Sequence, residues 1–140
     1  MNFLLDTCVI SELAKLTPNS KIIAWVRSKP EENLFLSTIT IGEIQKGISK
    51  LGADGVKRQK LQSWLDADLI RRFNQRILAV DENVARKWGE IQGAAELAGK
   101  KMPVMDSLIA STGLAYDLTV VTRNIGDMEA SRVRLFNPWE

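Results

Sequence analysis

Four acidic residues stand where an α/β fold could bring them to one place. Asp6 directly follows a short apolar run, and Asp127 follows a second apolar run by a few residues. Glu43 and Asp106 each lie in a predicted helix among apolar neighbours. A carboxylate at the edge of a buried stripe needs a polar partner or a metal ion. Ligands of open α/β sheets bind just beyond the carboxyl ends of the strands, so these acids are candidates for one site.

Each acid also has a purely structural explanation. Asp6 could be a helix N-cap, and Glu43 could be a surface residue paired with Lys46. Asp106 could be stabilised by the dipole of its helix, and Asp127 could be a turn residue. No acid decides the question alone, so the hypothesis depends on whether all four converge.

The residue types that are absent restrict the chemistry. The sequence has no histidine and one cysteine, Cys8, which excludes histidine-based catalysis, cysteine zinc sites and an internal disulfide. We expect Cys8 to pack beside the first strand, with a reactive thiol as the alternative. Clustered carboxylates raise one another's pKa unless a cation neutralises them, and they select hard ions such as Mg²⁺ or Mn²⁺. The reaction class that fits is metal-assisted hydrolysis of phosphodiester bonds.

Length and composition are those of an ordinary globular protein. The 140 residues suit one domain, 1–140, with 45% hydrophobic and 26% charged residues. We see no apolar run long enough to span a membrane and no basic leader, and we expect a cytoplasmic protein. The net charge of +2 permits a polyanionic partner without requiring one.

Apolar runs and helical spacings alternate along the chain. Strands are predicted to end at Leu5 and to lie at 34–37, 77–80, 118–122 and 133–136. Helices are predicted between them, including a long charged one over about 56–73, and a turn is predicted over 52–55. Asn19 or Ser20, and Asp81, are the expected N-caps. The alternation predicts an α/β fold, a small parallel sheet of about five strands flanked by helices, with the strands before Asp6 and Asp127 adjacent.

Five segments of this chain resemble one known family. Residues 5–12, 36–48, 103–110, 121–127 and 136–139 resemble, in order and spacing, the PIN-domain ribonucleases. The similarity is greatest to VapC-type toxins of bacterial toxin–antitoxin modules, in the FitB-like branch. Each motif is weak alone, but the ordered set covers essentially the whole chain and is specific.

The resemblance implies a three-layer α/β/α fold and an acidic site that binds Mg²⁺ or Mn²⁺ and cleaves RNA. Asp6, Glu43, Asp106 and Asp127 match the acidic positions of the family. Asp6 and Asp106 are then the metal ligands, and Glu43 completes the acidic shell directly or through water. Asp127 helps to position the water or a second ion. The nucleophile is a metal-activated water, so no covalent enzyme intermediate is expected.

Supporting residues and partners also follow from the resemblance. Thr7 and Asn124 are expected to support the site by hydrogen bonding, although the family often has Asp where this chain has Asn124. Met128 stands where this branch commonly has Phe, which we interpret as a packing variation. The resemblance implies a homodimer, inhibited by a cognate antitoxin whose tail blocks the acidic pocket. DNA is involved only indirectly, through the antitoxin, and no membrane partner is implied.

Basic and aromatic residues leave alternatives open. Lys100, Lys101 and Arg123 are candidates for the rim of the site, whereas basic clusters at 57–60, 71–72 and 76 could contact RNA or simply be solvated. Trp25, Trp64 and Trp88 are expected in the core, with a dimer or partner surface as the alternative.

Two other functions remain for the whole chain. One is an Asp-based phosphotransfer domain, and the other is a catalytically inert PIN-like binding domain. Phosphotransfer usually needs a second acid or a lysine close in sequence, which the residues around Asp6 do not supply.

Overall fold

A parallel sheet lies at the centre of the computed structural model, which describes residues 1–52 and 55–140. In these residues the strands are β1 (Phe3–Leu5), β2 (Leu34–Ser37), β3 (Ile77–Leu78), β4 (Thr119–Val121) and β5 (Leu135–Phe136). Their order is β3-β2-β1-β4-β5, and each neighbouring pair is parallel. The predicted sheet is confirmed, and β1 and β4 are neighbours as expected. The edge strands β3 and β5 are shorter than predicted because each pairs on one side only.

Helices connect the strands and cover both faces of the sheet. Over the described ranges they are α1 (Thr7–Leu13), α2 (Ser20–Arg27), α3 (Thr38–Ser49), α4 (Val56–Ser63), α5 (Ile70–Arg72), α6 (Glu82–Leu97), α7 (Val104–Ala115) and α8 (Ile125–Met128). The long helix predicted over 56–73 is present as α4 and α5, joined by a π-helical stretch, Trp64–Leu69. The turn predicted over 52–55 includes residues 53 and 54, which lie outside the described residues.

Side chains alternate along the strands and supply two apolar layers. Phe3 and Leu5 of β1 pack with α1, α2 and the 56–72 helical run, whereas Leu4 packs on the other face with α7 and α8. Leu4 and Leu5 are completely buried, and full burial of such a side chain contributes about 1.5–3 kcal/mol. Burial on both faces explains why the strands appear as continuous apolar runs.

The strand ends are fixed by polar caps on the helices that follow. Asp6 caps α1 and Ser37 caps α3, so β1 and β2 pass directly into helices at the same edge of the sheet. Asn19 caps α2 and Asp81 caps α6, as predicted. In the part of the chain that the structure describes, no helix combines the length and apolar composition needed to cross a bilayer.

Candidate active site

Asp6 lies at the end of the central strand with both carboxylate oxygens held. It is 2% exposed. Oδ1 accepts a hydrogen bond from the Thr7 backbone N–H at 2.8 Å, and Oδ2 accepts one from the Thr122 hydroxyl at 2.6 Å. Burial, and to a smaller extent the charge of Glu43, raises the pKa of Asp6, while the bonds from Thr122 and Thr7 oppose that rise. Asp6 is therefore both a helix cap and a preorganised carboxylate.

Thr122 joins this carboxylate to the neighbouring strand, and sequence reasoning missed it. Leu5 pairs with Val121, so the residues that follow them, Asp6 and Thr122, are side by side. The fully buried Thr122 hydroxyl also accepts a hydrogen bond from the Asn124 backbone N–H at 2.9 Å. The available signal was a polar residue directly after a buried strand, the same pattern that selected Asp6.

The Asn124 side chain does not make the expected hydrogen bond. Asn124 is exposed, and its amide group bonds to no side chain or backbone group in the described residues. Its backbone N–H supports Asp6 indirectly, through Thr122. That arrangement tolerates Asn where an acid was expected, because a backbone contact does not depend on residue type.

Glu43 of α3 is held by a chain of hydroxyl groups. The Thr7 hydroxyl donates to Glu43 Oε1 at 2.6 Å and lies 3.0 Å from the Thr40 hydroxyl. Because the single Thr7 proton goes to the carboxylate, Thr40 must be the donor in the second contact. Thr40 is completely buried and is a second supporting residue that sequence reasoning missed. Thr7, at the β1–α1 junction, thus holds two acids: its backbone N–H donates to Asp6 and its hydroxyl donates to Glu43.

Asp106 and Asp127 face the same space from the other side of the sheet edge. Asp106 is partly buried in the first turn of α7, and Asp127 is exposed on α8. Burial first, and then the charges of Asp6, Asp127 and Glu43, raise the pKa of Asp106 to about 6. The charges of the other three predicted acids thus all act on Asp106.

The donor set fits a hard divalent cation bound by few direct ligands. In residues 1–52 and 55–140, no three Asp, Glu or Cys side chains lie close enough together for direct ligation of one ion. Mg²⁺ commonly uses one or two carboxylates and keeps several waters. Two direct carboxylate ligands with the other acids bound through water would match that mode, and the negative charge that acts on Asp106 favours a cation.

Cys8 packs beside this cluster as expected. It contacts the core, and its sulfur lies 3.7 Å from Asp6 Oδ2 and 3.6 Å from the Thr122 hydroxyl. Burial and the negative charge of Asp6 raise the pKa of the Cys8 thiol, which keeps it protonated and opposes a reactive-thiol role.

The comparisons with known proteins agree with this geometry. The PIN domain profile matches residues 3–130. The chain belongs to the PIN-domain family. It is 39% identical to the toxin FitB of Neisseria gonorrhoeae, over 97% of both chains, and 34% identical to the VapC ribonuclease Y4jK of Sinorhizobium fredii, over 97% of this chain and 96% of that one.

Solved structures show the same fold. The crystal structure of FitAcB from Neisseria gonorrhoeae contains a chain with a TM-score of 0.92 and 38% identity, covering 99% of both chains. A chain of VapBC2 from Rickettsia felis, bound to a promoter DNA fragment, has a TM-score of 0.78 and 27% identity over 98% of both chains. The resemblance inferred from the motifs is confirmed. Met128 of this PIN domain is fully buried, so methionine fills the apolar space as interpreted.

The raised pKa of Asp106 makes the metal-free PIN domain sensitive to pH. The folded carboxyl titrates near 6, against 3.8 ordinarily. The folded state thus holds the proton more tightly, and the contribution of Asp106 to the free energy of unfolding falls as pH rises from about 4 to 6. Asp106→Asn should raise that free energy by about 1 kcal/mol at pH 7.5, a reduced value because water screens a partly exposed group. Urea unfolding in EDTA at pH 4.0 and 7.5 measures both values.

The pH dependence separates charge from packing in this experiment. The gain in free energy of unfolding from Asp106→Asn should vanish at pH 4.0, where the Asp106 carboxyl is largely protonated in the folded chain. A gain of equal size at both values of pH would mean that asparagine packs better, and the electrostatic interpretation would be wrong.

Two grooves flank the acids. The one on the Glu43 side is mostly apolar and has a volume of about 1040 Å³. It is lined by residues of α1, α3 and α4 and their neighbours, three of them lysines: Ser11, Ala14, Lys15, Leu16, Thr17, Glu43, Ile44, Gly47, Ile48, Val56, Lys57, Lys60, Leu61 and Trp64. The second, on the Asp127 side, has a volume of about 400 Å³. The site is thus open on two chemically different sides.

Three of the arginines considered as RNA contacts are engaged in contacts within the chain. Arg72 and Arg76 both pair with Glu31, at 2.9 and 3.2 Å, and Arg76 also donates to the Leu34 carbonyl. These two arginines hold the segment before β2. The guanidinium of Arg123 lies over the ring of Trp139, 4.2 Å from its centroid.

The tryptophans are half-buried and differ in role. Trp88 donates to the Ser107 hydroxyl at 2.8 Å and holds α6 to α7. Trp25 stacks on Phe136. Trp64 packs against the core, as expected, and also lines the apolar groove.

Proposed function

We propose that this PIN domain is a metal-dependent endoribonuclease and the toxin of a toxin–antitoxin module. The observation that supports it is the convergence of Asp6, Glu43, Asp106 and Asp127, expressed in the raised pKa of Asp106. Relatives named as a toxin and as VapC ribonucleases, similar over nearly the whole chain, support the same function.

The four acids have distinct proposed roles toward Mg²⁺ or Mn²⁺. Asp6 and Asp106 hold the ion, Glu43 completes the shell directly or through water, and Asp127 orients water or a second ion. When bound, such an ion lowers the pKa of a water and neutralises charge on the phosphate.

Hydrogen bonds within the chain hold the carboxylates of the site in position before substrate binds. Thr122 and the Thr7 backbone fix the Asp6 carboxylate, and the Thr7 hydroxyl fixes Glu43, so little reorganisation is needed when RNA arrives. With no histidine in the sequence, protons released in hydrolysis pass to carboxylates or to water.

The phosphotransfer alternative lacks a partner group beside Asp6. Neither a second acid nor a lysine adjoins Asp6 in the sequence, and the side chains that hydrogen-bond to its carboxylate are those of Thr122 and Cys8. The inert-binding alternative is left to the cleavage experiment.

We place the antitoxin in the apolar groove beside Glu43. Relatives appear in complexes named FitAB and VapBC, including a FitAB complex and a VapBC2 complex bound to DNA. The groove offers apolar surface for a docked segment and three lysines for its acidic side chains, and it ends at the acidic site. A segment docked there would reach Glu43 and block RNA. We also propose a homodimer, with DNA contacted only through the antitoxin.

Cleavage of a mixed RNA pool by the purified protein tests the function. We expect cuts with Mg²⁺ or Mn²⁺ and none with EDTA, because the acids repel phosphate without a cation. Fragments mapped at nucleotide resolution would report the sequence preference. If metal binds by calorimetry but no RNA in the pool or in total cellular RNA is cut, the protein is an inert binding domain.

The same assay tests the antitoxin groove. The cognate antitoxin should suppress cleavage by the wild type, and Gly47→Leu should weaken suppression. A side chain at Gly47 meets no heavy atom of the chain within 4 Å, so it would extend into the groove. Gly93→Leu in α6, equally unobstructed, is the control. Equal suppression of both variants would place the antitoxin elsewhere.

A further inference from the structure

The groove on the Asp127 side has one basic wall and one acidic wall. It lies between the α6–α7 loop and α8, with a volume of about 400 Å³, and is lined by Lys100, Lys101, Met102, Pro103, Gly126, Asp127, Glu129 and Ala130. Pro103 immediately precedes α7, which carries Asp106 in its first turn. The groove therefore adjoins the candidate site at Asp127, and Glu43 is not among its lining residues.

The loop that carries the lysines is held by buried contacts. Gln92 of α6 is 3% exposed; its Nε2 donates to the Met102 carbonyl at 2.8 Å, and its Oε1 accepts from the Met102 N–H at 3.2 Å. The Lys100 N–H donates to the Ala95 carbonyl at 2.7 Å, and Gly99 has a φ of 73°, which glycine adopts without strain. Buried paired hydrogen bonds are costly to break, so the backbone carrying Lys100 and Lys101 is fixed.

The two lysines differ electrostatically from other basic residues of the chain. Lys100 and Lys101 are exposed, and neither forms an ion pair within residues 1–52 and 55–140, whereas Arg72, Arg76 and Arg86 do. Both line the groove, so their charges are available to a ligand that enters it.

This separation of charge suits a chain of phosphates that crosses the site. The acids require a cation before they accept a phosphate, whereas the lysine wall attracts one directly. A flexible single strand can place one phosphate at the acids and the next ones on the lysines. A protein partner fits less well, because four of the eight lining residues carry a charge, and charged residues are depleted at the centres of protein–protein interfaces.

We propose that Lys100 and Lys101 bind RNA phosphates that flank the scissile one, on the Asp127 side of the site. The inference rests on the proposed function, since it names the substrate path of that same site. It assigns the two sides different ligands: RNA backbone follows the lysine groove, and the antitoxin occupies the apolar groove.

Binding measured apart from cleavage tests this. Fluorescence anisotropy of a labelled single-stranded RNA of about 20 nucleotides, in EDTA, compares the wild type with Lys100→Ala/Lys101→Ala. We expect the Kd to rise about tenfold and the salt slope to fall by about 1–2, because each phosphate contact contributes about 0.7–1 to that slope. With Mg²⁺, KM should rise by a similar factor while kcat stays within about twofold, since the lysines touch flanking phosphates.

Arg86→Ala/Lys87→Ala is the matched control. It also removes two positive charges, but from the first half of α6, where both residues form surface ion pairs of little energetic value. Its Kd and salt slope should equal those of the wild type. Equal RNA binding by the two double variants would overturn the inference, and so would loss of antitoxin binding alone in the lysine variant.

The outcomes separate the inference from the proposed function. If the lysine variant loses RNA binding but no form of the protein cleaves RNA with metal, the lysine groove stands and the nuclease function fails. If the wild type cleaves and the lysine variant matches the control in Kd, salt slope and KM, the function stands and the groove fails.

Discussion

Replacing Asp6 or Asp106 by asparagine should lower metal-dependent RNA cleavage more than about 100-fold, the upper end of what loss of a supporting partner costs a metal site. Asparagine keeps the size of each side chain but removes the charge that holds the cation. The Asp6 backbone N–H still bonds to the Val121 carbonyl at 3.0 Å, so the β1–β4 junction should persist. Initial rates with Mg²⁺ over a series of concentrations would show whether the loss lies in metal affinity or in kcat.

Asp68→Asn is the matched control for these variants. Asp68 is an exposed aspartate in the helical run between α4 and α5, remote in sequence from the four acids. Its substitution changes net charge equally and should leave the rate unchanged. Cleavage that survives in both Asp6→Asn and Asp106→Asn would mean that the four acids are not the catalytic centre.

Gly113→Ala should lower the free energy of unfolding by about 1–3 kcal/mol, the usual cost of overpacking a core. Gly113 is buried in α7 where the helix crosses β4. A methyl group there would lie 2.8 Å from Val120 Cγ2 and 3.0 Å from Val133 Cγ2, and 3.4 Å from the Leu118 carbonyl oxygen. The two valines are buried, so relief requires α7 to move away from the sheet. Urea unfolding measures the loss.

Gly93→Ala separates overpacking from helix propensity. Gly93 lies in α6, and a methyl group there meets no heavy atom within 4 Å. That variant should be more stable than the wild type by up to about 1 kcal/mol, because alanine is the better helix former. If both glycine variants gained stability, the packing of α7 on β4 would be looser than described.

The sheet and the acids were predictable because their signals are local. Leu4 and Leu5 belong to an uninterrupted apolar run since both faces of β1 are covered, and Asp6 ends that run abruptly. The parallel alternation of strands and helices then indicated which strand ends meet. Asp106 could be placed because Pro103 marks the start of its helix.

The hydroxyl partners and the ion pairs were not predictable, because their signals are not local. Thr122 contacts Asp6 across 116 residues of sequence, and Thr7 contacts Thr40 across 33. Threonine is common at strand ends, so its type carried no signal without the register of β1 and β4. The pairing of Arg72 with Glu31 likewise depends on how β2 and β3 align, which a basic cluster alone does not reveal.

The order of strands has a consequence for the nascent chain. β1 is central, yet its neighbour β4 and the edge strand β5 come from residues 119–136, at the end of the sequence. Two of the four acids, Asp106 and Asp127, also belong to the last third. At about 5–20 residues per second, a ribosome needs roughly 7–28 seconds to synthesise 140 residues. During most of that time the nascent chain lacks Asp106 and Asp127, so a site that requires all four acids forms late in synthesis.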